Sequence, residues 1–148
     1  MLMTGSVQMD AERAFARVAR ARRHAALVRS LRRVRGGCGS RLRVIPESAA
    51  RAGRTPGLRT REIALSEIAG TTEPSRAELF DAEFRPAGAA RVRWQRVWLA
   101  EQRGQVLPPI SVVPLADGYA LRDGHHRVSV ARARGALTID ATVEALPG

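Results

Sequence analysis

The chain has no lysine: all 25 of its basic residues are arginine. A total of that kind reflects compositional bias in the source as well as function, so the net charge of +11 identifies nothing by itself. There is one cysteine, Cys38, which excludes an intramolecular disulfide and fits a reducing compartment. Aromatic residues make up only 4%, so a core must lean on Leu, Ile and Val together with Trp94 and Trp98. Long apolar runs are missing too. No segment approaches the ~18 apolar residues that span a bilayer, and arginine interrupts every candidate leader-like run near the start. A cytoplasmic protein with no membrane partner is the expectation.

What is present is unevenly distributed. A length of 148 residues suits one domain plus an appendage. Residues 1–61 carry 15 arginines against Asp10, Glu12 and Glu47, a balance of +12; residues 62–148 carry 10 against 11 acids, a balance of −1. The basic excess therefore stands in front of a nearly neutral domain. This divides the chain into an arginine-rich helical extension (1–39), a linker (40–60) and a domain (61–148).

Residues 8–35 read as one long helix, because Ala and Arg are both good helix formers. Ala11, Ala14, Val18, Ala21, Ala25 and Val28 recur at spacings of three and four, a heptad-like seam too small to bury much. The run Gly36-Gly37-Cys38-Gly39-Ser40 breaks it. Pro46, Gly53, Pro56 and Gly57 mark the linker, with one helical turn near Glu47 to Ala52. A first strand is expected at Arg61 to Leu65. Gly70 to Gly88 is loop-rich, with a short helical piece at Ser75 to Asp81. A helix over Ala89 to Arg103 ends at Gly104 and would bury Ala90, Trp94, Val97 and Trp98. Strands follow at Ile110–Pro114 and Tyr119–Leu121, then a helix from His125 to Arg134 and a strand at Thr138–Val143.

The chemistry concentrates in Asp123-Gly124-His125-His126-Arg127, where a short strand runs into a helix closed by Gly135. Asp123 is a strong N-cap type and Gly135 is well placed as the glycine after the helix. A helix start exposes free backbone N–H groups and the positive end of the helix dipole, which together suit phosphate. Gly124 permits close approach of a ligand to the backbone, and Arg127 offers a planar fork of donors matched to phosphate oxygens. One histidine would donate to the anion while the other is oriented by a carboxylate such as Asp123. The alternative is a well-made helix start with polar surface residues. A metal site is not expected. Adjacent histidines at a helix start point in different directions, and only His24 remains elsewhere.

The run Leu107-Pro108-Pro109-Ile110-Ser111-Val112, the Asp117-Gly118 turn, Tyr119 to Leu121, the Asp-Gly-His-His-Arg box and Ile139-Asp140-Ala141 together resemble the ParB/sulfiredoxin-like superfamily. The resemblance covers roughly Arg61 to Glu144. It implies an α/β (α+β) fold, a small mixed sheet with packed helices, here preceded by a long basic helix. It also implies that Gly124, His125, His126 and Arg127 contact the phosphates of a nucleoside triphosphate or diphosphate (CTP, ATP or ADP), with Mg²⁺ as an accompanying ion.

Individual members fit less well. Cys38 lies in the wrong place for the Gly-Gly-Cys-His-Arg box of sulfiredoxins, whose cysteine position is taken by His125, so sulfinic-acid reduction is excluded. Partition-type ParB proteins carry Gly-Glu-Arg-Arg where this chain has Gly124-His125-His126-Arg127, and with no helix-turn-helix pattern legible in the 148 residues, sequence-specific partition function is not expected. The spelling is closer to ParB-like free serine kinases. That comparison implies Glu73 as a general base, with Asp123 helping to hold a metal ion or a histidine.

Outside the box, Trp94 and Trp98 sit one turn apart and are assigned to the core. Arg17, Arg20, Arg22, Arg23, Arg29, Arg32 and Arg33 give the extension the charge to lie along DNA or RNA phosphates without sequence preference. A solvated helix and a docking helix for an acidic partner are the alternatives. Three readings result: a nucleotide- or phosphate-binding module with nucleic-acid contact, a small phosphotransferase, and a non-catalytic interaction protein. The partners considered are a nucleotide, DNA or RNA, and a second copy of the chain in a homodimer.

Overall fold

The computed structural model describes residues 3–32, 41–49 and 58–144. Its fold is the expected α+β arrangement, a mixed five-stranded sheet with a long N-terminal helix. Helix α1 spans Met3–Arg32, about 45 Å at the usual rise of 1.5 Å per residue. It begins earlier than residue 8, and residues 33–35 of the expected helix lie outside the described residues, as do Cys38 and its glycines.

Strands β1 (Leu58–Ala64), β2 (Ile68–Thr71), β3 (Ile110–Leu115), β4 (Gly118–Asp123) and β5 (Thr138–Glu144) assemble in the order β1-β5-β3-β4-β2. The β3–β4 hairpin and the β1–β5 pair are antiparallel, while β2–β4 and β3–β5 are parallel. Helices α2 (Pro74–Ala77), α3 (Arg91–Gln102) and α4 (His125–Ala133) complete the domain. Strand β2 is not expected as a strand, and its second half, Gly70 and Thr71, falls in the stretch read as loop-rich. Ile-Ala-Gly-Thr is too short for an alternation to register, and its pairing with β4 is non-local.

The alternation of β3 and β4 sorts the core into layers. Ile110, Val112, Tyr119 and Leu121 point to one face, where Val128 and Ala131 of α4 pack with Phe80 and Phe84. Val113 and Ala120 point to the other face, under Ile45. Residues 41–49, read as linker, are thus packed. Leu42 and Ile45 are buried, and Val44 bridges to Thr71 along the edge of β2. Of the expected turn near Glu47, a 3-10 turn at Glu47–Ala49 is formed.

Helix α1 lies outermost, against α3 and α4, through Phe15 and Ala19 on Trp94 and Val130. Its buried face is therefore set by Phe15, which meets Trp94 edge-on at 5.6 Å. Ala11 of the expected seam is buried and Ala14 and Val18 pack on the same cluster, but Ala21 is exposed, and the stripe centres on Phe15 with Ala19. Trp94 is fully buried and donates to Ser129, which in turn donates to the Phe84 carbonyl. Trp98 is only half-buried, so its assignment to the core is corrected in part.

Between α2 and α3 a tight loop is organised by Asp81. Its buried carboxylate accepts the amides of Glu83 and Arg85 at 2.9 and 2.8 Å and pairs with the Arg85 guanidinium at 3.3 Å. Both α3 and α4 end as expected at glycine. Gly104 and Gly135, at φ +73° and +77°, carry the paired carbonyl-closing bonds of a Schellman cap. No helix among the described residues is long and apolar enough to cross a membrane.

Candidate anion-binding site

Strand β4 hands the chain to α4 through Gly124, the N-cap, at φ +105° and ψ 26°. This corrects the expectation for Asp123, which ends the strand and does not cap the helix. Only a residue free to adopt this left-handed conformation can turn the chain here, and a Cβ on Gly124 would lie 2.5 Å from Ile110 Cγ2. The glycine serves backbone geometry and packing. No side chain caps α4, so the amides of its first turn, at His125, His126 and Arg127, stay available.

Around that helix start lies a pocket of about 260 Å³, lined by Asp123, Gly124, His125, His126 and Arg127 with Arg76, Arg93, Arg96 and Val97. The fold thus brings together the four residues expected at a phosphate site and adds three arginines from α2 and α3. Four arginines face one carboxylate. Asp123 pairs with Arg127 at 3.4 Å, whereas Arg76, Arg93 and Arg96 have no carboxylate partner among the described residues.

The histidines play different parts from those expected. The His125 ring turns inward, is buried, and stacks on Phe80 at 6.3 Å. Its Nε2 lies 2.6 Å from Thr71 Oγ1. That hydroxyl donates to the Leu121 carbonyl at 3.0 Å and accepts the Glu73 amide at 2.9 Å. With the one hydroxyl proton so used, Nε2 is the donor to Thr71, and His125 offers an anion its backbone N–H only. Asp123 orients neither ring. His126 meets Phe80 edge-on at 5.2 Å and stands nearer the arginines.

Burial pushes the pKa of both histidines down from 6.5 to about 4, helped by Arg76 in each case and by Arg93 for His126. Both are neutral at pH 7, and the positive charge of the pocket comes from arginine and the helix start.

Arg127 is largely engaged in holding the fold. Its Nη1 donates to the carbonyls of Pro108 and Pro109 at 2.5 and 2.8 Å, which ties the helix start to the chain entering β3. Glu73 is the N-cap residue of α2, without a side-chain cap bond, and its backbone N–H donates to Thr71 Oγ1 at 2.9 Å, but its carboxylate is not on the pocket wall. Asp123 is the sole carboxylate there. No group of three or more His, Cys, Asp or Glu side chains able to hold a metal occurs among the described residues.

On α1, Arg17, Arg20, Arg23 and Arg32 are exposed, Arg22 and Arg29 are half-buried, and Arg33 lies outside the described residues. Helical winding distributes them around the helix. Arg13, Arg17 and Arg20 follow one another at spacings of four and three on a common face.

Arg76, Arg93 and Arg96 are the residues that sequence reasoning missed. The available signal was that Arg91, Arg93 and Arg96 stand in a run, residues 84–100, that contains no acid. No family model, curated protein or solved structure matches this chain.

Proposed function

We propose that the chain is a ParB/sulfiredoxin-like module that binds the phosphate groups of a nucleotide at the start of α4, in the cytoplasm, and that contacts nucleic acid through the arginines of α1. The observation that carries the first part is the convergence of Arg76, Arg93 and Arg96, free of carboxylates among the described residues, on an uncapped helix start. Unpaired guanidinium groups beside free amides are what a multiply charged phosphate chain requires. The pocket, at about 260 Å³, is smaller than a typical site for a whole drug-sized ligand, and Val97 is its one apolar side chain. It suits the phosphates, with the base lying outside.

Arg76, Arg93 and Arg96 would hold the phosphate oxygens, and the amides of His125 to Arg127 would receive one of them. Mg²⁺ characteristically binds through one or two carboxylates plus substrate phosphates, and Asp123 supplies the one carboxylate in reach. The phosphotransferase reading is less favoured, because the proposed base, Glu73, does not face the pocket.

Calorimetric titration with CTP, ATP and ADP, with and without Mg²⁺, tests the proposal. Saturable binding that is lost in an Arg93→Ala/Arg96→Ala variant is the expected result. Failure of all three nucleotides to bind overturns it. Arg127→Ala is a poorer probe, because its bonds to Pro108 and Pro109 also hold the fold.

A further inference from the structure

A second groove lies on the other flank of α3. Arg93, Arg96 and Val97 face the anion pocket, whereas Trp98 and Gln102 face a groove of about 570 Å³ closed by α1 and the end of α4. It is more than twice the size of the anion pocket and reaches the volume usual for nucleoside-sized ligands. Its walls carry Arg13, Arg17 and one carboxylate, Asp10, from α1, and Arg134 from the end of α4.

The floor combines an aromatic face with a fixed guanidinium. Arg134 lies 5.4 Å from the centre of the half-buried Trp98 ring. It is held there by Glu101 at 3.3 Å and Gln102 at 3.2 Å. Arg17 has no carboxylate partner among the described residues, and the one partner of Arg13 is Asp10, at 3.9 Å with both side chains exposed. Arg17, without a carboxylate partner among the described residues, and Arg13, in a long and exposed pair with Asp10, thus stand one helical turn apart beside an anchored guanidinium–indole stack.

We infer that this groove binds single-stranded nucleic acid, with one base stacking on the Arg134–Trp98 pair and neighbouring phosphates on Arg13 and Arg17. Unpaired bases stack on aromatic rings and on arginine planes, while cationic side chains follow the backbone. A duplex keeps its bases inside and would leave Trp98 unused. The inference rests on the reading of α1 as a nucleic-acid contact and adds to it a strand preference and a base-stacking residue.

Tryptophan fluorescence of the full-length protein tests it without any substitution. Trp94 is fully buried in the core, so quenching by added ligand reports on Trp98. A short oligothymidylate is expected to quench the emission and to bind more tightly than a duplex of the same length. Trp98→Leu should weaken the single strand about tenfold, and Trp98→Phe should restore most of that loss. Equal affinity for single strand and duplex, with no quenching, overturns the base-stacking inference and leaves the arginine-helix reading standing. No binding of either overturns both.

Discussion

Two sets of arginines in this molecule look alike in sequence and behave differently in the fold. In the sheet domain Arg85, Arg122, Arg132 and Arg134 each pair with a carboxylate at 2.7 to 3.6 Å. Around the start of α4, Arg76, Arg93 and Arg96 have no such partner among the described residues. Net charge averages the two sets into a balance of −1 for residues 62–148, and so conceals the cationic pocket. What marks a binding site is the unpaired cation. A cation already satisfied by a neighbour contributes to the fold and has few donors left for a phosphate, although its planar face can still stack, as for Arg134 on Trp98.

The comparison can be broken at several points, beginning with the strongest. Gly124→Ala should cost about 4 kcal/mol of stability, since the new Cβ meets Ile110 and the left-handed conformation is strained for alanine. Urea denaturation measures this, and a loss below about 1 kcal/mol would show that the helix start is not fixed as described. Next, Arg93→Ala/Arg96→Ala should weaken nucleotide binding by about 3 kcal/mol, or roughly 100-fold, from two lost charged hydrogen bonds. Both side chains are exposed, so the melting temperature should hold.

His125 gives a pH signature of similar size. Its folded pKa of about 4 lies below its ordinary 6.5, so the unfolded chain takes up the proton first. Stability should be level above pH 6.5, fall as the pH drops towards 4 by about 3 kcal/mol, and level off below that. His126 is shifted over the same range and adds its own fall in that window, so His125→Gln should make this part of the profile shallower and His125→Gln/His126→Gln should flatten it. The smallest effect is the converse of the arginine pair in the pocket. Arg85→Ala should cost about 2 kcal/mol by leaving the buried Asp81 carboxylate without its cation, while nucleotide affinity stays unchanged. An affinity loss there would blur the distinction between paired and unpaired arginines.

Legibility in the sequence followed locality. The run from β3 to β5 could be read because its signals are adjacent: an apolar strand, the Asp117-Gly118 turn, Gly124, an amphipathic stretch and Gly135. Strand β2 could not, since its identity comes from pairing with Leu121 and Tyr119 some fifty residues away. The anion site was half legible. The backbone donors at residues 125–127 follow from a helix start, whereas Arg76, Arg93 and Arg96 reach it only through the packing of α2 and α3 on α4. Side-chain roles within the box were the least legible. Asp123 and Arg127 have the right chemistry for cap and fork. The left-handed Gly124 displaced the first, and the bare carbonyls of Pro108 and Pro109 claimed the second.

The most direct measurement follows the backbone amide resonances of His125, His126 and Arg127 while ATP is added to the full-length protein. Binding at the uncapped start of α4 predicts saturable shifts at these three amides, abolished in Arg93→Ala/Arg96→Ala. Shifts confined to the exposed arginines of α1, with residues 125–127 unmoved, would contradict the account.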